Sequence, residues 1–213
     1  MVKLPAEPPT VKQLRDIGAE IQNIGGDTVL VRIYRRGGDY PTRWDDFRHF
    51  GPLNARFDHH PAEGSARYHD DHGIYYAATD LTTCAAEVFQ DTRTLNLSRE
   101  EPWLVAFEPQ RPLELLDLTG AWPTRIGASM KINTGPRAHA RAWSRRFYAA
   151  FPEVDGLLYA SSMHANEAAV ALYERARDAF GEQPLDRRPL RDPVLLGDLK
   201  RTARRLNYQL VVE

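Results

Sequence analysis

The chain is poor in sulfur: its 213 residues include a single cysteine, Cys84. One cysteine cannot close an internal disulfide, so the fold has no covalent staple, and a reducing, cytoplasmic setting is expected. The chain also lacks charge of one sign. Lys+Arg 28 against Asp+Glu 29 leaves a net charge of -1, which removes the global basic field that recruits nucleic acid. No apolar run approaches the length of a membrane span, and MVKLPAEPPT lacks the uncharged stretch of a secretory signal, so neither membrane insertion nor export is expected. Repeats and low-complexity tracts are missing. So are H-E-x-x-H and G-x-S-x-G, the signatures of zinc peptidases and of hydrolases with a serine elbow.

What is present suits one ordinary globular domain. Apolar residues make up 42% and charged residues 27%, and the length allows a core that needs no metal or disulfide to hold it. Thr10 can cap a helix running to about Asn23, with Gly25-Gly26 as its stop, so residues 1–26 read as an N-terminal helical extension and 27–213 as one compact unit. DTVLVRIYR reads as a strand with Val29, Val31 and Ile33 on one face and Leu30, Arg32 and Tyr34 on the other. Further strands are expected in GIYYAA, WLVAFEP, LELLDL, GLLYAS, AAVALYE and YQLVV. Helices are expected from the Asp80 cap to about Gln90, from Arg137 to Ala150, and over LLGDLKRTARRLN. Short strands with interspersed helices, without strict βαβ alternation, predict an α/β or α+β fold.

Between Gly37 and Gly73 the periodicity disappears. Such long irregular excursions are usually functional or disordered. Within it, RFDHHPAEGSARYHDDHG holds four of the chain's seven histidines. His69 and His72 could face one ion, but the adjacent pair His59-His60 diverges in extended chain, so no metal is expected and the histidines read as a solvated rim. Arg56 beside Phe57 offers a guanidinium fork for phosphate and a ring for a heterocycle. In TDLTTCAAEVFQ, Glu87 is enclosed by small and apolar neighbours: it lies either on the solvent stripe of the helix or in a pocket useful to chemistry. Arg32 sits mid-strand, where an arginine is costly unless exposed or paired with an anion. Ser161 ends a buried-looking strand. Cys84, inside a helix and without a basic neighbour, reads as a small core residue.

Arg32, Arg56-Phe57, Tyr76 at a strand end, Glu87 eleven residues later and Ser161 after Y-x-S together resemble the RES-domain family, over roughly Asp27 to Glu174. The most specific piece runs from Tyr76 through Ala85-Ala86 to Glu87. Two departures stand out: the usual G-R-W-N is A-R-F-D here, and the usual Y-P-S is Y-A-S. The resemblance implies a compact fold like that of ADP-ribosyltransferase toxins, and NAD consumed as substrate with no further cofactor. It also implies a toxin's role beside an Xre-like helix-turn-helix antitoxin, with a homodimer left open. On that reading Glu87 and Ser161 act at the reacting centre, while Arg32, Arg56, Phe57 and Tyr76 hold NAD. The ADP-ribosyl group would pass to water or phosphate, or, as an alternative, to a macromolecule. A non-enzymatic binding module using the cations of KRTARR (200–205) is the rival from another class.

Overall fold

The computed structural model describes residues 7–212. Twelve strands are formed: β1 (Ile21–Ile24), β2 (Leu30–Arg35), β3 (Phe50–Gly51), β4 (Arg67–Tyr68), β5 (Ile74–Ala78), β6 (Thr94–Asn96), β7 (Pro102–Phe107), β8 (Leu113–Asp117), β9 (Gly156–Ala160), β10 (Ala168–Tyr173), β11 (Asp186–Pro189) and β12 (Gln209–Val211). Six α-helices accompany them: α1 (Val11–Ile17), α2 (Leu81–Val88), α3 (Trp122–Arg125), α4 (Lys131–Thr134), α5 (Arg137–Ala150) and α6 (Leu196–Leu206). Eight strands make one sheet in the order β1-β8-β9-β10-β5-β2-β7-β11. Within it β8 and β9 run parallel and the other neighbours are antiparallel. The fold is a mixed α/β domain, in the class expected.

The N-terminal expectation needs correction. The helix capped by Thr10 stops at Ile17, where Gly18 takes a positive φ of 84°, and Ile21–Ile24 becomes an edge strand on β8. Residues 21–24 therefore belong to the main sheet and not to a helical extension. Helical spacing of Ile17 and Ile21 also fits a helix followed by a strand, because a glycine between them resets the period.

Side chains alternate across β2 and β5, and both faces are covered. Val31, Ile33, Ile74, Tyr76 and Ala78 face the layer formed by α1, α2, α5 and α6, whose core includes Trp122, Trp143 and Phe147. Leu30, Tyr34, Tyr75 and Ala77 face a second core with Trp44, Phe47 and Phe107. There Phe180 stacks on Phe107 at 5.0 Å and meets Tyr75 edge-on at 4.9 Å. Burial on both faces explains why these strands read as apolar runs.

Strands β2 and β5 pair through Val31 and Ala78 alone, then diverge. Arg48, from the irregular excursion, bridges to Ile74 in place of β2. The excursion is thus built onto the sheet where β2 and β5 part, and is not a free flap. At the centre of the sheet, Gly156 pairs with both β8 and β10. A Cβ there would lie 2.4 Å from the carbonyl oxygen of Ala171. Gly156→Ala should cost about 1–3 kcal/mol, because the clash is with backbone that cannot rotate away. Urea unfolding of the two proteins checks this; equal midpoints would mean the strands separate freely.

Candidate active site

Helix α2 begins at Asp80, whose carboxylate accepts from the Thr83 backbone N–H at 2.9 Å. Alanines and Cys84 on its inner side let the helix lie close to the sheet, and the Ile33 N–H donates to Cys84 Sγ at 3.2 Å. Burial pushes that thiol up to about 12, so Cys84 is an inert core group, as expected.

This docking brings Glu87 to the C-terminal end of β9. The Ser161 hydroxyl, fully buried, donates to Glu87 Oε1 at 2.6 Å. Backbone N–H groups of Met163 and His164 donate to Ser161 Oγ, each at 3.2 Å. The serine is held from behind and spends its proton on the carboxylate. Glu87 is half-buried and oriented by a buried partner, so it does not lie on the fully solvated stripe of the helix.

Arg56 lies within the electrostatic reach of Glu87. Burial lowers its pKa and the Glu87 charge partly offsets that fall, while Nη1 donates to the Gly135 carbonyl at 2.7 Å. Tyr159, two residues before Ser161 on the same strand face, is buried against the Phe57 ring at 4.9 Å. Burial, then the Glu87 charge, raises its hydroxyl well above the ordinary value. Tyr76 accepts from the Phe57 N–H at 3.1 Å, and burial raises its hydroxyl pKa too. Glu87, Ser161, Arg56, Phe57 and Tyr76 are therefore gathered on one face of the sheet. Tyr159 joins them. The i, i+2 spacing to Ser161 was the signal that could have found it.

Two expected roles change. Arg32 points to the opposite face: its guanidinium lies 4.0 Å from the Tyr75 ring centroid, and Nη1 donates to the Asp46 carbonyl at 2.9 Å. Strand alternation separates it from Glu87 by the thickness of the sheet, so its cost is met by a ring and a carbonyl. The Phe57 ring is fully buried, and its carbonyl accepts from the Ser144 hydroxyl at 2.8 Å. Phe57 shapes the site by fixing backbone and supporting Tyr159, not by offering an open stacking face.

The histidine rim is also corrected. Asp58, His59 and His60 are buried. Asp58 accepts from Leu53 N–H at 2.7 Å, Arg48 at 2.8 Å and His60 Nδ1 at 2.6 Å, which outweigh its burial and hold its pKa below the usual range. A carboxylate suits Arg48 here, where the family's usual asparagine would bring no charge. Gly51 is needed beside it, because a Cβ would fall 2.4 Å from the His60 ring. His59 packs on Tyr148 at 4.4 Å and meets Glu174 Oε2 at 3.3 Å. The outer pair remains more open, and His69, Asp71 and His72 offer three ligand atoms within 4.8 Å of one another.

The cations of 200–205 lie along α6, whose buried Leu199, Thr202 and Ala203 pack inward; Thr202 meets Thr82 of α2 at 3.2 Å. Among the described residues, no helix is long and apolar enough to cross a membrane.

The layout is that of a mixed α/β domain with a serine-held carboxylate at a strand end and an arginine within its field. The RES domain family matches residues 29–192, and the chain belongs to that family. No curated protein matches the chain by sequence. A chain in the crystal structure of the M. tuberculosis MbcT-MbcA toxin-antitoxin complex shares the fold, with TM-score 0.57 and 15% identity, over 90% of this chain and 96% of that one.

Acid should loosen the buried loop. Burial lowers the His59 pKa from 6.5 to about 4, against a smaller opposing pull from Glu174. Glu174, which burial would raise, is brought from 4.5 to about 2 by bonds from His59, Tyr148 and the Gly73 N–H. Both folded values are depressed, so both contributions are complete above pH 6.5 and are lost on acidification, first through His59 between 6.5 and 4. The melting temperature should be level near neutrality and fall across that window, and His59→Gln should flatten the fall. A level wild-type profile down to pH 4 would contradict the burial of a neutral His59.

Proposed function

We propose that this protein cleaves the bond between nicotinamide and ribose in NAD, and that it does so as the toxin of a toxin-antitoxin pair. The observation that carries this reading is the 2.6 Å hydrogen bond from Ser161 to Glu87. Cleavage of an N-glycoside leaves positive charge on the ribose, and a carboxylate fixed beforehand steadies it without reorganising. The C1′–N bond breaks with its electron pair moving to the pyridine nitrogen, so nicotinamide departs neutral and needs no proton. An oxygen of water or phosphate then bonds to C1′, and where water is the acceptor its proton passes to solvent. Arg56 supplies a cation for the diphosphate, and Tyr76 and Tyr159 line the nicotinamide side. Transfer of the ADP-ribosyl group to a macromolecule uses the same residues with another acceptor.

Family membership and the fold shared with a chain of the MbcT-MbcA complex support a partner antitoxin. A helix-turn-helix protein of Xre type, meeting the toxin in the cytoplasm, is the partner this reading calls for. On this reading Arg32, on the opposite face of the sheet, has no part in holding NAD.

Purified protein should consume NAD and release free nicotinamide. Running the assay with and without phosphate, and analysing the products, identifies the acceptor. Glu87→Gln can still accept from Ser161, so its stability should change by no more than about 0.5 kcal/mol while turnover drops about a hundredfold. A folded Glu87→Gln protein with near-normal turnover would sink the assignment. The two arginines should also separate. Arg56→Ala should raise KM for NAD about tenfold or more, losing a charge-assisted contact, whereas Arg32→Ala should lower the melting temperature and leave KM unchanged. Equal effects on KM would mean that Arg32 reaches the ligand.

A further inference from the structure

The four histidines of the excursion come together in the fold. The inner pair, His59 and His60, is buried. Beside it, the turn from β4 to β5 carries His69 and His72, whose rings meet edge-on at 5.8 Å. This turn is tethered at both ends and in its middle. The His69 N–H donates to the His49 carbonyl at 3.0 Å, the Tyr148 hydroxyl donates to the Asp71 carbonyl at 2.9 Å, and the Gly73 N–H donates to Glu174 Oε2 at 2.9 Å. Packing fixes the rings as well. His72 lies 5.0 Å from the Tyr148 ring and 5.3 Å from that of His59, and His69 meets His60 edge-on at 5.4 Å. Ligand groups on such a turn are in place before an ion arrives.

Nitrogens of this outer pair are free to bind. Those of the His69 ring have no hydrogen-bond partner among the described residues, and His72 uses only Nδ1, 2.9 Å from Asp71 Oδ1. The Asp71 side chain is 81% exposed and that of His72 18%, so an ion reaches the group from solvent. One ligand atom from each of His69, Asp71 and His72 lies within 4.8 Å of the others. Bonds of about 2.0–2.2 Å to a central ion bring ligand atoms to roughly 3–3.5 Å of one another, a closing movement that side-chain rotation supplies. The ring stacked on His72 points the same way. His59 donates through Nε2 to Glu174 Oε2 at 3.3 Å, and its Nδ1 is buried without a hydrogen-bond partner among the described residues. A buried nitrogen left so is costly, and a cation held by the neighbouring ring answers its lone pair.

Two imidazoles and a carboxylate, with the one thiol buried elsewhere, form a nitrogen and oxygen set that suits zinc. Magnesium and calcium ask for oxygen alone. We propose that His69, Asp71 and His72 form a binding site for Zn²⁺, with water completing its coordination. The sequence had left His69 and His72 as the pair able to face one ion, and the turn supplies Asp71 between them. Bound there, the ion clamps the end of the excursion where it enters β5, the strand that carries Tyr76. No step of NAD cleavage uses this site, and the inference does not rest on that reading.

Isothermal titration of the chelator-treated full chain with zinc chloride tests the site. One Zn²⁺ per chain should bind, and magnesium chloride should give no comparable response. Asp71→Asn, at an exposed position, and His69→Gln should each weaken zinc binding at least about tenfold, the low end of what losing a mere supporting group costs a metal site. His139→Gln, nine residues before Tyr148 on α5, should bind as the wild type does. Zinc should also raise the melting temperature of the wild type more than that of Asp71→Asn, since an ion that binds the folded chain stabilises it in proportion to its affinity. Asp71→Asn and His69→Gln proteins that bind zinc as tightly as the wild type would show adventitious binding elsewhere and overturn the site. Absence of zinc binding, an equal response to magnesium, or binding lost with His139→Gln overturns it too.

Discussion

The hydrogen bond from Ser161 to Glu87 joins two elements that the contact between Thr83 and His164 also holds together. One is the end of a buried strand and the other the second turn of a short helix. Everything around it serves to keep that contact. The Asp80 cap sets where the helix starts, small residues set how closely it lies on the sheet, and two backbone N–H groups prevent Ser161 from turning away. A half-buried carboxylate is costly to keep unless directed donors and a nearby cation answer it. Ser161 supplies the donor and Arg56 the cation, the latter anchored through the Gly135 carbonyl.

The excursion from Gly37 to Gly73 has a different role from a mobile gate. It fills the gap where β2 parts from β5, and within it Asp58 accepts from both His60 and Arg48. That buried network fixes the backbone of Phe57, which in turn holds the Tyr76 hydroxyl and supports the Tyr159 ring. A loop built this way delivers Arg56 to the site at a defined place, so less ordering is left for the moment of ligand binding.

Much of the fold was legible in the chain. The 14-residue helix over 137–150 follows its apolar spacing, and β5, β9 and β10 fall where apolar runs end at polar or small residues. Ile21–Ile24 was not legible, because four residues after a glycine fit either period until a partner strand is known. The spacing from Tyr76 to Glu87 pointed to the family. Arg32 was misplaced because a strand with both faces buried does not say which face meets the ligand. The histidines were misplaced because composition shows polarity, not pairing: His60 is buried only because Asp58, a carbonyl and the open space over Gly51 receive it.

By itself, then, the sequence determined the class of fold, the family and the residue types of the site. Those follow from local periodicity, caps and a distinctive spacing, all of which act over a few turns of chain. Tertiary structure alone decided that Ser161 meets Glu87 across 74 positions, that Arg32 stands on the other side of the sheet, and that His164 is buried against Thr83. These are outcomes of strand order and helix docking, and they depend on contacts between segments whose separation along the chain carries no record of their distance in space.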